Sequence, residues 1–278
     1  MPAHRGRRYR LGQWDQLMGT LFDSHAHLDD PRFDEDREAL IADMARQGML
    51  CLCVGSDMPT SRAAVALAGA HPGRLWASVA VHPHWAKDFL PADVEQLRTW
   101  AALPQVVALG EMGLDFHYDL SPREKQREVF ATQLELAFGL DMPAILHVRE
   151  AHGEILDTLR ARRNRLPALL LHCYSGSWES AREYMDMGAM ISFAGSVTFK
   201  KAVNLQEAAR YIPADRLMIE TDSPYLAPEP VRGRRNDPRN VAHVAAFLAT
   251  LRGEEPEALA AYTRRNALRF YRIDREQG

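Results

Sequence analysis

Eight apolar runs of strand length recur along the chain, at 21–25, 50–54, 75–81, 105–111, 144–148, 168–173, 189–193 and 216–221, with longer amphipathic stretches between them. Alternation of this kind builds a parallel sheet with helical crossovers. Helical patterns fall near 35–47, 59–69, 91–102, 122–140, 152–163, 178–187, 200–210 and 238–251, with a last helix near 256–270. Ser121-Pro122 with Glu124 reads as the start of the fourth helix, and Gly48 and Gly188 as the stops of the first and sixth. The 197 residues from His25 to Asp222 span seven strand-to-strand steps of about 28 each, the length that a strand, a helix and two short loops need. The expected fold is α/β, a single (β/α)8 barrel of the TIM type with its site at the carboxyl ends of the strands. A doubly wound open sheet also gathers ligands there, but it does not readily bring strands one, four, five, six and eight around one point.

Composition agrees with one soluble globular domain: of 278 residues 46% are hydrophobic and 26% charged, and no glycine- or proline-rich linker divides the chain. No run approaches the ~18 apolar residues of a membrane span, and the opening MPAHRGRRYR lacks the apolar stretch of a secretory signal, so the expected location is cytoplasmic, without a membrane partner. Residues 1–17 read as a basic arm, or as sequence ahead of a true start at Met18, and 18–278 as the barrel domain. The net charge of −3 provides no global positive field for nucleic acid, so phosphate binding has to come from a local patch or from metal. Cys51, Cys53 and Cys173, an odd count within apolar runs, read as reduced, packed thiols.

The chemistry lies where the strands end. His25 and His27 stand at i and i+2 on the first strand, a spacing that projects both rings from one face. Glu111 ends the fourth strand, His147 the fifth, His172 the sixth, and Glu220 with Asp222 the eighth. Ionisable groups ending five apolar strands are costly unless paired or metal-bound. The four imidazoles with Glu111 and Asp222 exceed one tetrahedral catalytic site, which keeps about three protein ligands, and they suit two divalent ions bridged by one carboxylate. Glu111 is the natural bridge. His25, His27 and Asp222 meet where strand eight closes onto strand one, and His147 and His172 are neighbours on strands five and six. Asp222 can accept a proton from the attacking water, and Glu220, one layer deeper, either orients a ligand histidine or forms an ordinary buried ion pair. Imidazole-rich sites suit Zn or Mn better than Mg.

Read in order, D-S-H-A-H-L-D at 23–29, V-H-P-H at 81–84, G-E-M-G-L-D at 110–115, H-V-R-E at 147–150, H-C-Y-S-G at 172–176 and E-T-D-S-P-Y-L-A-P at 220–228 resemble the TatD family of metal-dependent deoxyribonucleases, within the wider amidohydrolase-like barrels. The resemblance runs from about 21 to 270. It implies one ion held by His25, His27, Glu111 and Asp222 and a second by Glu111, His147 and His172, with His82 contacting the scissile phosphate. It also implies a DNA substrate cleaved by water, typically 3′ to 5′, in single-stranded or damaged strands.

Basic residues border the same strand ends: Arg149, Lys200-Lys201, and Arg232 with Arg234 and Arg235. Each can hold a flanking phosphate or form part of a solvated face. Tyr174, Trp85, Phe116 and Tyr225 can stack on unpaired bases or serve as wall and core. An amidase or esterase acting on a small anionic substrate would use the same ions, and a non-enzymatic metal protein would want a closed site without surplus ligands.

Overall fold

The structure, a computed structural model, describes residues 18–273, so the basic stretch 1–17 lies outside the described residues. Eight strands form in the expected order: β1 (Phe22–Ala26), β2 (Leu50–Val54), β3 (Leu75–Val79), β4 (Val106–Asp115), β5 (Ala144–Arg149), β6 (Leu169–Leu171), β7 (Met190–Phe193) and β8 (Leu217–Ile219). Each pairs in parallel with its sequence neighbour. Just past β8 the chain closes onto β1, where the Asp222 amide donates to the His25 carbonyl at 2.9 Å and the His27 amide to the Ser223 carbonyl at 2.7 Å. The helices are α1 (Arg37–Arg46), α2 (Met58–Ala70), α3 (Pro91–Ala101), α4 (Arg123–Gly139), α5 (His152–Ala161), α6 (Trp178–Asp186), α7 (Val203–Tyr211), α8 (Val241–Arg252) and α9 (Pro256–Phe270). None is long and apolar enough to cross a membrane among the described residues.

Side-chain alternation divides the core into two layers. Phe22, Leu50, Leu52, Val54, Ala108, Ile145, Leu170, Met190 and Met218 pack together inside the barrel, and Phe270 and Tyr271 at the end of α9 close its floor. Phe22 stacks on Trp76 and Tyr271 with ring centroids 6.0 and 5.9 Å apart. The intervening residues, Cys51 and Cys53 among them, face the helices in the larger outer cluster, so β2 alternates strictly and both thiols are free and buried. With its floor filled by aromatics, the barrel leaves its open end to the polar residues that terminate the strands.

Three expectations change in detail. β4 runs four residues past Glu111, because its pairing with β5 continues to Asp115–Arg149. β6 and β8 end sooner, so His172 and the Glu220–Asp222 segment lie in the turns just beyond them. Ser121 does not cap α4: its hydroxyl donates to the His84 carbonyl at 2.8 Å and accepts from the Lys87 amide at 3.1 Å, pinning the loop after β3. Gly48 and Gly188 do follow α1 and α6 at positive φ.

Candidate metal centre

Two irregularities in strand register aim the site residues inward. Between Asp23 and Ala26, β1 advances three residues while β2 advances two, from Cys51 to Cys53. The extra residue lets Phe22 and Ser24 line the lower barrel while His25 and His27 turn to its mouth. β4 carries the same irregularity, three residues from Leu109 to Met112 against two from Ala144 to Leu146, and Glu111 stands within it. Beside it a side chain at Gly113 would place its Cβ 2.0 Å from the His147 carbonyl oxygen, so this close approach of β4 to β5 requires glycine.

Glu111 sits between two sets of donors. Its Oε1 lies 3.4 Å from His27 Nε2 and 3.8 Å from His25 Nε2, and Asp222 Oδ1 stands 3.4 and 3.9 Å from the same two nitrogens. Its Oε2 lies 2.8 Å from His172 Nε2, 3.6 Å from His147 Nδ1 and 3.8 Å from His82 Nε2. His147 Nδ1 and His172 Nε2 are 3.3 Å apart. Donors held ~2.1 Å from one ion at tetrahedral angles are separated by ~3.4 Å, and the separations in the two sets scatter around this value, from 2.8 to 3.9 Å. His25 supplies a second fit: it is fully buried, its ring stacks on His172 at 3.9 Å, and neither ring nitrogen has a hydrogen-bond partner. Such an orphaned acceptor costs about 1–3 kcal/mol, and a cation would satisfy it.

The second ring nitrogens fix which lone pairs face inward. His27 Nδ1 donates to the Val54 carbonyl at 2.9 Å, leaving Nε2 free toward Glu111 and Asp222. His172 Nδ1 faces the buried Glu220 at 3.3 Å, and the same Glu220 oxygen accepts the Cys173 amide at 2.6 Å. His147 Nε2 donates to Asp115 at 3.1 Å. His82 runs the other way: its Nδ1 accepts the His84 amide at 3.1 Å, so its Nε2 carries the proton and points it at the cluster.

Charge follows from these contacts. Burial works against protonated imidazole, yet Asp222 and Glu111 pull His27 up to about 9, and Glu111 and Glu220 raise His172 well above its ordinary value. Burial, with His172 and His147 as cationic neighbours, pushes His25 and His82 down. Burial also opposes the Glu111 carboxylate, but His82 and His172 hold it well below the usual range. The carboxylates therefore demand positive charge, which protons supply in the absence of a metal cation.

Outside the cluster the candidates separate. Arg149 is half-buried with its guanidinium 4.6 Å over the Tyr118 ring, and Lys200 and Arg234 are exposed. Arg235 is bound by both carboxylate oxygens of Asp36, at 2.7 and 2.6 Å, so its charge is already neutralised. Tyr174 does not reach the mouth: it is 2% exposed and its hydroxyl donates to the Ser177 carbonyl at 2.5 Å, which excludes a stacking role. Phe116 is half-buried beneath Arg123 at 4.4 Å, whereas Trp85 and Tyr225 are exposed. Ser56, whose hydroxyl donates to Glu111 at 3.2 Å, and Tyr118 carry no sequence signal of their own, and His84 and Asp115 stand in the V-H-P-H and G-E-M-G-L-D motifs without an assigned role. Asp115 and Tyr118 lie past the expected end of the fourth strand, and the Gly113-Leu114-Asp115 run is the signal that it continues.

Comparison with known proteins agrees with this architecture. The family model described as TatD related DNase matches residues 22–272. The chain is 40% identical over 255 residues to the uncharacterized metal-dependent hydrolase YabD of Bacillus subtilis, covering 91% of this chain and 100% of that one. It is 36% identical over 260 residues to the 3′-5′ ssDNA/RNA exonuclease TatD of Klebsiella pneumoniae, covering 91% and 98%. The crystal structure of YJJV, a TatD homolog from Escherichia coli K12, superposes with a TM-score of 0.85 at 28% identity, covering 92% and 100%. The chain belongs to the TatD family and is a metal-dependent hydrolase.

Proposed function

We propose that this hydrolase cleaves the phosphodiester bonds of DNA at a two-ion centre, as a 3′–5′ exodeoxyribonuclease acting on single-stranded or damaged strands. The observation that carries the reading is the division of Glu111, one oxygen toward His25 and His27 and the other toward His147 and His172. His25, His27, Glu111 and Asp222 would hold one divalent ion (Zn, Mn or Mg), and Glu111, His147 and His172 the other. Two such ions would supply water activation and neutralise charge at the phosphoryl oxygens. Asp222, 15% exposed at its side chain and open to the mouth, takes the proton of the attacking water. His82 donates from Nε2 to a phosphoryl oxygen, because its other nitrogen is occupied by the His84 amide. Glu220 and Asp115 keep His172 and His147 in the tautomers that leave lone pairs toward Glu111.

The exonuclease named among the relatives supports the substrate class and polarity. The test is digestion of end-labelled single-stranded DNA by protein loaded in turn with Zn, Mn and Mg, with a chelated control. Progressive release of nucleotides from the 3′ end, abolished by chelation, is expected. Efficient hydrolysis of amide or ester panels with DNA left intact under every metal would overturn the reading in favour of a carbonyl hydrolase.

A further inference from the structure

Two exposed tyrosines bracket the cluster. Tyr118 follows β4 and Tyr225 follows β8, strands four apart in an eight-stranded barrel and therefore across the mouth from one another. Tyr225, 48% exposed, meets His27 edge-on at 5.9 Å, beside the Oε1 side of Glu111. Tyr118, 52% exposed, meets His84 edge-on at 5.5 Å, and His84 packs against His82 on the Oε2 side. Each ring carries an arginine, Arg149 at 4.6 Å over Tyr118 and Arg32 at 4.3 Å over Tyr225.

The two pairs differ in charge. Arg32 is clasped by both oxygens of Asp30, at 2.9 and 2.8 Å, and the Tyr225 hydroxyl stands 3.5 Å from the same carboxylate. Arg149 has no carboxylate partner among the described residues. One flank thus offers an uncompensated cation, the other a neutral ion pair.

We propose that Tyr118 with Arg149 and Tyr225 with Arg32 are two nucleobase-stacking subsites on opposite flanks of Glu111, the first for a nucleotide within the strand and the second for the terminal nucleoside. This rests on the exonuclease reading above. Unpaired bases stack on aromatic faces and on guanidinium planes without regard to sequence, and the arginines hold both rings in place before a strand arrives. A strand with its scissile phosphate at Glu111 sends one nucleoside to each side. Inward, every further nucleotide brings another phosphate, which Arg149 meets. Beyond a terminal nucleoside there is none, and the Arg32–Asp30 pair, neutral as a whole, offers a phosphorylated end no charge to bind.

The test uses the metal-loaded full chain on short single-stranded oligonucleotides. Tyr118→Ala is expected to raise KM about tenfold with the loss in KM rather than kcat, and Tyr118→Trp to restore it. A strand carrying 2-aminopurine at its penultimate position and a cleavage-resistant terminal linkage should lose fluorescence on binding the unmodified protein and keep it with Tyr118→Ala. Strands ending in a 3′-phosphate should be degraded several-fold more slowly than those ending in a 3′-hydroxyl, and Asp30→Asn, which retains an acceptor for the Arg32 amide, should narrow that gap. If the unmodified protein leaves all strands intact under every metal, the exonuclease reading falls and the subsites with it. If it degrades strands while Tyr118→Ala matches it in KM and quenching, or both ends are degraded equally, the subsite assignment is wrong and the exonuclease reading stands.

Discussion

Asp115 accepts the Nε2 proton of His147 at 3.1 Å, so the ring's Nδ1 lone pair is left facing Glu111 and His172. The same carboxylate takes His84 Nε2 at 2.8 Å, and its other oxygen takes the amides of His117 and Tyr118 at 3.0 and 2.9 Å. Burial opposes its charge, but the two imidazoles and these amides hold Asp115 far below the usual carboxylate range.

Asp115→Asn should therefore act on His147 rather than on the fold. An amide can still accept the two backbone N–H groups, but it turns an NH2 toward two imidazole N–H groups. His147 is then driven to the opposite tautomer, with a proton where its lone pair is needed. Affinity for Mn or Co should fall ~10–100-fold with the circular dichroism spectrum unchanged. Titration with either metal measures this, and equal affinity in the two proteins would show that Asp115 does not set the tautomer.

How much of this was legible in the sequence depends on the range of the interactions. Strand and helix order follows from local hydrophobic period and regular spacing, which also brings His25, His27, His147, His172 and Asp222 to the strand ends or the turns just beyond them, while Glu111 lies four residues before the end of β4. Asp115 and Tyr118 received no role because pairing with β5 carries β4 on through Gly113-Leu114-Asp115, a tertiary effect that this short run marks only weakly. For Tyr174 the sequence leaves stacking and core both open, and the structure decides for the core. Its place after a strand end resembles that of a mouth residue, but its ring turns into the core against Phe193 and Tyr184, a choice of rotamer that sequence does not record.

Glu111→Gln should abolish turnover almost completely. A neutral amide offers one weak oxygen donor where two cation sites each require a negatively charged one. Elemental analysis should find less bound metal than in the unmodified protein. Glu220→Gln should lose less, because an amide oxygen can still accept from the Cys173 amide and from His172 Nδ1. Equal metal content and turnover in Glu111→Gln and the unmodified protein would defeat the bridging assignment.

Gly113→Ala tests whether the close contact of β4 and β5 positions the site. The added methyl would meet the His147 carbonyl oxygen at 2.0 Å, and backbone rather than a flexible side chain has to yield. A loss of at least about 1–3 kcal/mol in chemical denaturation is expected, accompanied by weaker metal binding as His147 shifts. Unchanged stability and metal affinity would mean that the strands can separate there at no cost to the site.

His152, at the start of α5, gives a pH dependence separate from the cluster. Burial depresses it to about 4; its Nε2 has no hydrogen-bond partner, and its Nδ1 lies 3.1 Å from the Tyr184 hydroxyl. An unfolded histidine titrates near 6.5, so as pH falls the unfolded chain takes up this proton first. Its contribution to stability is therefore complete above about pH 6.5, declines from there to about pH 4, and is flat below, a loss of at most roughly 3 kcal/mol. Cluster histidines titrate as well, so the informative quantity is the difference between His152→Asn and the unmodified protein in chelator, in which their contributions cancel. Urea denaturation from pH 7.5 to 4.5 should show the unmodified protein losing stability faster than the variant over this interval. Parallel curves would place the His152 proton in water-like surroundings instead.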